Sequence, residues 1–70
     1  NPAQAVRDFD LALAASLSGP LEERALFGRA ANRLRAGDKA GAEGDLRRYL
    51  ERHPRGRFAA EARAKLGAPE

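Results

Sequence analysis

The sequence predicts an all-α fold of four antiparallel helices, one complete helical hairpin flanked by two single helices. Three observations carry that prediction. Apolar residues recur at helical spacing along nearly the whole chain, and no window alternates as a strand does. Turn-forming residues separate the periodic segments, at Ser18-Gly19-Pro20, at Gly37-Asp38, from Pro54 to Gly56 and at Gly67. These connections are short, so successive helices should lie antiparallel.

The first helix is expected from Pro2 to Leu17. Val6, Phe9, Leu13 and Leu17 fall on one stripe, and proline suits a first turn. Ser18-Gly19-Pro20 ends it. The second helix starts there, with Gly19 as cap, Pro20 at its first position and Glu22 complementing the helix dipole. It should reach Ala36, with Leu26, Ala30 and Leu34 as its buried ridge. Gly37 supplies the left-handed residue that closes it.

The third helix opens at Asp38, a favoured N-cap. Ala42, Leu46, Tyr49, Leu50 and His53 share one face, with small Ala42 where the helix crosses its neighbour closely. Pro54 stops it, because proline disfavours helical geometry in the residue before it. Arg55-Gly56 makes the turn. The fourth helix is expected from Arg57 to Leu66, with Phe58, Ala62 and Leu66 on one side, and Gly67 and Pro69 marking its end.

Seventy residues make one small domain, spanning residues 1–70. The chain begins at Asn1 and has no Met, and is read as a segment excised from a longer protein. Cysteine is absent, which removes disulfides, thiolate metal sites and thiol nucleophiles together. No apolar run approaches the roughly 18 residues of a membrane span, so no membrane insertion is expected. Cations are almost all Arg, with two Lys, and Ala, Gly and Pro are abundant, a bias that fits a GC-rich bacterial genome.

From Glu23 to Pro54 the chain resembles one tetratricopeptide repeat, whose period is 34 residues. Gly37-Asp38 matches the turn between its helices. Ala30 falls on the small position of the repeat's first helix, and Ala42, Leu46 and Pro54 on the small, large-apolar and proline positions of its second. The chain departs from the pattern at Arg33, where an aromatic is common, at Arg29, where leucine is usual, and at Tyr49, where a small residue is usual. Ala5, Phe9 and Ala12 precede Ala42, Leu46 and Tyr49 by a constant 37 residues. The first helix therefore resembles the second helix of a preceding degenerate repeat. The fourth, with Gly56-Arg57-Phe58-Ala59 before Glu61-Ala62, resembles the first helix of a following one. The stretch from Tyr49-Leu50-Glu51-Arg52-His53-Pro54 to Leu66-Gly67 is also similar to repeats of bacterial envelope proteins, the Tol–Pal accessory proteins and outer-membrane assembly lipoproteins. That resemblance favours periplasm or envelope over cytoplasm.

The chain offers no converging nucleophile, base or metal set, so no catalytic residue, metal ligand or cofactor is expected and the protein is read as a non-enzyme. The single histidine, His53, reads as a packing or C-terminal capping residue. Asp8 and Asp10 flank Phe9 and cannot share a face. Glu22 and Glu23 read as complements of the helix dipole. Ser16 and Ser18 lie at a helix end, where serine caps. Gly37, Gly41 and Gly44 follow no strand and cradle no phosphate.

Net charge is +3 and the isoelectric point about 10.2. Arg47, Arg48, Arg52, Arg55 and Arg57 cluster around the end of the third helix. Acids at helical pairing distance dilute this patch, through Glu43–Arg47, Asp45–Arg48, Glu51–Arg55 and Glu51–Arg48. With no aromatic on its solvent side, nucleic acid is disfavoured as a partner.

The stronger candidate surface lies on the second helix. Arg24, Phe27, Ala31 and Arg35 form a stripe beside the buried ridge, with Leu34 at its edge. In tetratricopeptide repeats that side lines the groove where peptides dock, and the resemblance implies a site there by position. The Lys and Asn carboxylate-binding pattern of chaperone-binding members is not present. The expected function is protein–protein interaction or scaffolding, with a protein or acidic peptide as partner. Phe27 and Leu34 would supply apolar contact, and Arg24 and Arg35 would orient a carboxylate. The competing reading of Phe27 is packing against the fourth helix. The alternative functions are a structural spacer or oligomerisation module stacking on neighbouring repeats, and a weak nucleic-acid-binding helical domain acting through the third-helix arginines.

Overall fold

A computed structural model describes residues 1–14 and 18–67, and it is all-α. Four helices follow one another: α1 Pro2–Ala14, α2 Gly19–Arg35, α3 Lys39–Arg52 and α4 Ala59–Leu66. Each packs on the next in chain order. Glu22 near the start of α2 pairs with Arg52 near the end of α3, and Arg29 pairs with Asp45 further along, so α2 and α3 run antiparallel. The expected continuation of the first helix through Ser16 to Leu17, and Pro69, lie outside the described residues.

The turn between α2 and α3 follows its chemistry. Gly37 has φ +87°, a region that costs a side-chain-bearing residue. The Gly37 amide donates to the Leu34 carbonyl at 3.1 Å and the Asp38 amide to the Arg33 carbonyl at 2.8 Å. Two carbonyls that α2 leaves open are thereby satisfied. The Asp38 carboxylate then accepts from the Gly41 amide at 2.9 Å and caps α3. One aspartate closes one helix and opens the next.

The cap of α2 is Ser18, not Gly19, and its hydroxyl makes no cap hydrogen bond. At the other end α2 stops at Arg35, with Ala36 as C-cap. His53 is the C-cap of α3, its amide donating to the Tyr49 carbonyl at 2.7 Å. The fourth helix starts at Ala59, two residues later than Arg57. Arg57 and Phe58 belong to the turn that leads into it. The Arg57 amide donates to Glu23 Oε1 at 2.9 Å and the Phe58 amide to the Tyr49 hydroxyl at 2.8 Å, so both serve neighbouring helices.

The core is small. Leu26, Ala30, Ala42, Leu46, Tyr49, Ala59 and Ala62 are buried, ringed by half-buried Leu13, Phe27, Leu34, Leu50, Phe58 and Leu66. Ala42 is fully buried while Ala40 is exposed, as the face assignment requires. α1 contributes no buried residue. Its Ala5, Phe9 and Ala12 are half-buried, where the corresponding Ala42, Leu46 and Tyr49 of α3 are completely buried. Phe9 reaches α2 at Gly28, where a Cβ would run into the ring.

Candidate functional site

α2 is covered on three sides. Towards α1, Gly28 receives the Phe9 ring. Towards α3, Arg29 and Arg33 meet Asp45, while Leu26 and Ala30 enter the core. Towards the turn that leads into α4, Phe27 stacks on Phe58 with ring centroids 4.6 Å apart and planes 10° from parallel, and it meets Tyr49 of α3 edge-on at 6.3 Å.

Of the five residues singled out in the sequence, Arg24, Ala31 and Arg35 lie towards the remaining side, while Phe27 and Leu34 turn from its edge towards Phe58 and the core. Arg24 and Arg35 are exposed and form no ion pair among the described residues. Phe27, Ala31 and Leu34 are half-buried. The exposed members of the stripe are the two arginines, and its apolar members are partly engaged. Phe27 holds Phe58, and Leu34 packs on the core. No pocket forms among the described residues, so the stripe is an open surface.

The charged residues depart most from expectation. Asp45 does not pair with Arg48. Its side chain is only 5% exposed and turns towards α2, where it accepts from Arg29 Nη2 at 2.7 Å and Nε at 3.1–3.2 Å, and from Arg33 Nη1 at 2.9 Å. Arg29 also donates to Asp10 of α1 at 2.8 Å, and Arg33 approaches Asp38 at 3.7 Å. Burial opposes the Arg29 charge, yet the Asp45 and Asp10 carboxylates raise its pKa above the ordinary value. The helical-distance rule fails here because a buried carboxylate needs bonded donors, and two arginines across the interface supply more than one exposed arginine can. Neither Glu51 pair is present among the described ion pairs. Glu43–Arg47 is present at 3.7 Å, with Arg47 exposed and Glu43 half-buried.

Glu22 and Glu23 are more than dipole complements. Glu22 is buried and accepts from Arg52 Nε at 2.7 Å, with His53 Nε2 also at 2.7 Å. The Arg52 hydrogen bond, opposed by burial and aided by His53, holds its carboxyl below the ordinary value. Glu23 accepts from the Tyr49 hydroxyl at 2.6 Å and is likewise held low, chiefly by that bond. Burial and the adjacent Glu23 charge push the Tyr49 hydroxyl up. His53 is thus a capping residue, as expected, and also a partner of Glu22. The third-helix arginine cluster is partly consumed internally. Arg52 serves Glu22, Arg47 serves Glu43, and Arg57 lies over the Phe58 ring at 5.8 Å.

Position in the sequence carries a signal for these contacts. Asp45 falls with Ala42, Leu46 and Tyr49 at i, i+3, i+4 and i+7, and Glu22 lies one turn before Leu26. An acid on an apolar face signals a buried partner. Among the described residues no group of three or more His, Asp or Glu side chains is placed to hold a metal. No helix among them is long and apolar enough to cross a membrane. No family model matches the chain, and no curated protein or solved structure is significantly similar to it.

Proposed function

We propose that this chain is a protein–protein interaction module of tetratricopeptide-like type, non-enzymatic, that receives a protein or peptide segment along the open side of α2. One observation carries the reading. α1 and α3 cover two sides of α2 and the Phe58 ring a third, while the open side presents small Ala31 between two exposed guanidiniums, Arg24 and Arg35, that form no ion pair among the described residues. Eleven residues at about 1.5 Å rise separate those arginines by roughly 16 Å, the span of a short peptide. A small residue lets a partner backbone approach, and an arginine binds a carboxylate in bidentate fashion. Phe27 and Leu34 supply apolar edges beside it. The resemblance of the stretch from Tyr49 to Gly67 to envelope-protein repeats favours the bacterial periplasm or envelope over the cytoplasm for this work.

A photo-cross-linking residue at Ala31, compared with the same residue at exposed Ala40, tests the surface in the full protein. Adducts at position 31 that vanish with Arg24→Glu or Arg35→Glu and persist with Arg47→Ala/Arg48→Ala support the reading. The reverse dependence, with binding to nucleic acid that falls steeply with salt, overturns it.

One feature favours a second reading, a structural spacer that stacks on neighbouring units. α1 buries no residue, and Leu11 on its outer side is 73% exposed. An end helix so thinly covered suits a stack that continues beyond it. Sedimentation that stays monomeric as concentration rises, combined with a Leu11→Lys variant of unchanged stability, would count against stacking.

A further inference from the structure

α4 is attached in an unusual way. It has eight residues, too few to be stable as a helix alone, and buries only Ala59 and Ala62, both small. Phe58 and Leu66, the larger apolar residues of this segment, are half-buried. Its entry is bonded to the rest of the molecule through two side chains. Glu23 Oε1 accepts from the Arg57 amide at 2.9 Å and from the Tyr49 hydroxyl at 2.6 Å, and that hydroxyl accepts from the Phe58 amide at 2.8 Å. Arg63 bonds within the same segment, donating to the Pro54 carbonyl at 2.9 Å. The stretch from Pro54 to Gly67 is therefore internally braced and hinged on one carboxylate and one hydroxyl. What it covers is Phe27, through the parallel Phe58 ring.

We propose that α4 is a strap that docks and undocks as a unit over Phe27, with Glu23 and Tyr49 as its latch. Docked, the strap occupies one face of the only aromatic residue on the α2 stripe. Undocked, it frees that ring in line with Arg24 and Ala31, converting a shallow basic stripe into an apolar anchor flanked by a cation. This regulation of the α2 surface rests on the binding reading above. Segments that open independently are those with few buried apolar contacts, and α4 buries no large apolar side chain completely.

Residue-resolved amide hydrogen exchange on the whole chain at neutral pH tests it. Amides from Ala62 to Gly67 should be at least about tenfold less protected than those of the α2–α3 hairpin. Glu23→Ala should reduce α4 protection by a further factor of about ten while hairpin amides keep theirs. Tyr49→Phe, which retains the ring in the core, should do the same. Because the chain has no cysteine, Ala62→Cys offers an independent readout with the latch intact, and its thiol should label before the hairpin unfolds. If α4 and hairpin amides exchange through one common opening, and the thiol introduced at position 62 labels only with global unfolding, the strap is refuted and the α2 reading stands. Independent opening combined with an Ala31 cross-link that ignores Phe27→Ala refutes the α2 reading, and with it the regulatory role.

Discussion

Replacing Asp45 by asparagine tests what holds α2 to α3. The carboxylate is buried and accepts three N–H groups of Arg29 and Arg33. The variant keeps the shape but removes the charge, and turns an amide donor towards guanidiniums that can only donate. Breaking a fully buried pair costs about 3–5 kcal/mol. Here the two arginine side chains remain 16% and 23% exposed and keep contacts to Asp10 and Asp38. The expected loss is therefore lower, about 2–4 kcal/mol. A chain of this size has a total stability on the order of 4–10 kcal/mol, so the variant should be close to the edge of folding. At about 4–8 °C per kcal/mol, Tm should fall by roughly 10–30 °C. Thermal and urea unfolding followed by circular dichroism at neutral pH read both quantities. Glu43→Gln is the internal control, since its pair with exposed Arg47 is long, at 3.7 Å, and should matter by less than about 0.5 kcal/mol. If Asp45→Asn and Glu43→Gln melt alike, the buried network is not what joins the hairpin.

Gly37→Val should destabilise by more than about 1 kcal/mol, because a β-branched residue fits φ +87° badly, and an unchanged melt would contradict that turn geometry. Ala42→Leu should overpack the α2–α3 crossing at a cost of roughly 1–3 kcal/mol, whereas Ala40→Leu on the exposed face should be neutral, and equal effects would mean the faces are exchanged. Acid should also destabilise the fold through Glu22. Its folded pKa lies below the ordinary value near 4.5, so the stability it contributes is present above that value and is lost as pH falls through the folded pKa. Glu22→Gln should flatten the acid limb of the stability profile, and an acid limb identical to that of the wild type would assign it to other groups.

Local structure is largely readable from the sequence. Four helices, the Gly37 closure, the Asp38 cap and the buried positions of Ala42, Leu46 and Tyr49 each follow from one segment's own spacing and chemistry. What is not readable is where long polar side chains go. Asp45 and Arg48 satisfy the helical pairing rule, yet Asp45 turns inward, because the inner face of α3 sets its direction before pairing is decided. The same holds for Glu22, whose partners Arg52 and His53 lie some thirty residues away in sequence. The start of α4 also differs from expectation, and its spacing does not show that the Arg57 and Phe58 amides ahead of it are satisfied by Glu23 and Tyr49. For the α2 stripe, the spacing places Arg24, Ala31 and Arg35 on one open side, and the competing reading of Phe27, packing against the segment expected as the fourth helix, is the one found, through Phe58.

Arg29 and Arg33, two of the positions at which the chain departs from the pattern it resembles, both meet Asp45. A site that could be filled by leucine and an aromatic is filled by a charged triad. Removing one member of such a triad leaves uncompensated charge, whereas replacing all of it by apolar residues of similar volume is often neutral or stabilising by about 1–4 kcal/mol. Asp10, the remaining partner of Arg29, has a side chain 45% exposed and can return to water. The combined variant Arg29→Leu/Arg33→Phe/Asp45→Leu should therefore be far more stable than Asp45→Asn, and within about 1 kcal/mol of the wild type or above it. Unfolding in urea decides the matter. If the triple variant is as unstable as the single one, the arginines do more than occupy an apolar site, and the register of α2 on α3 depends on directional bonds that leucine and phenylalanine cannot replace.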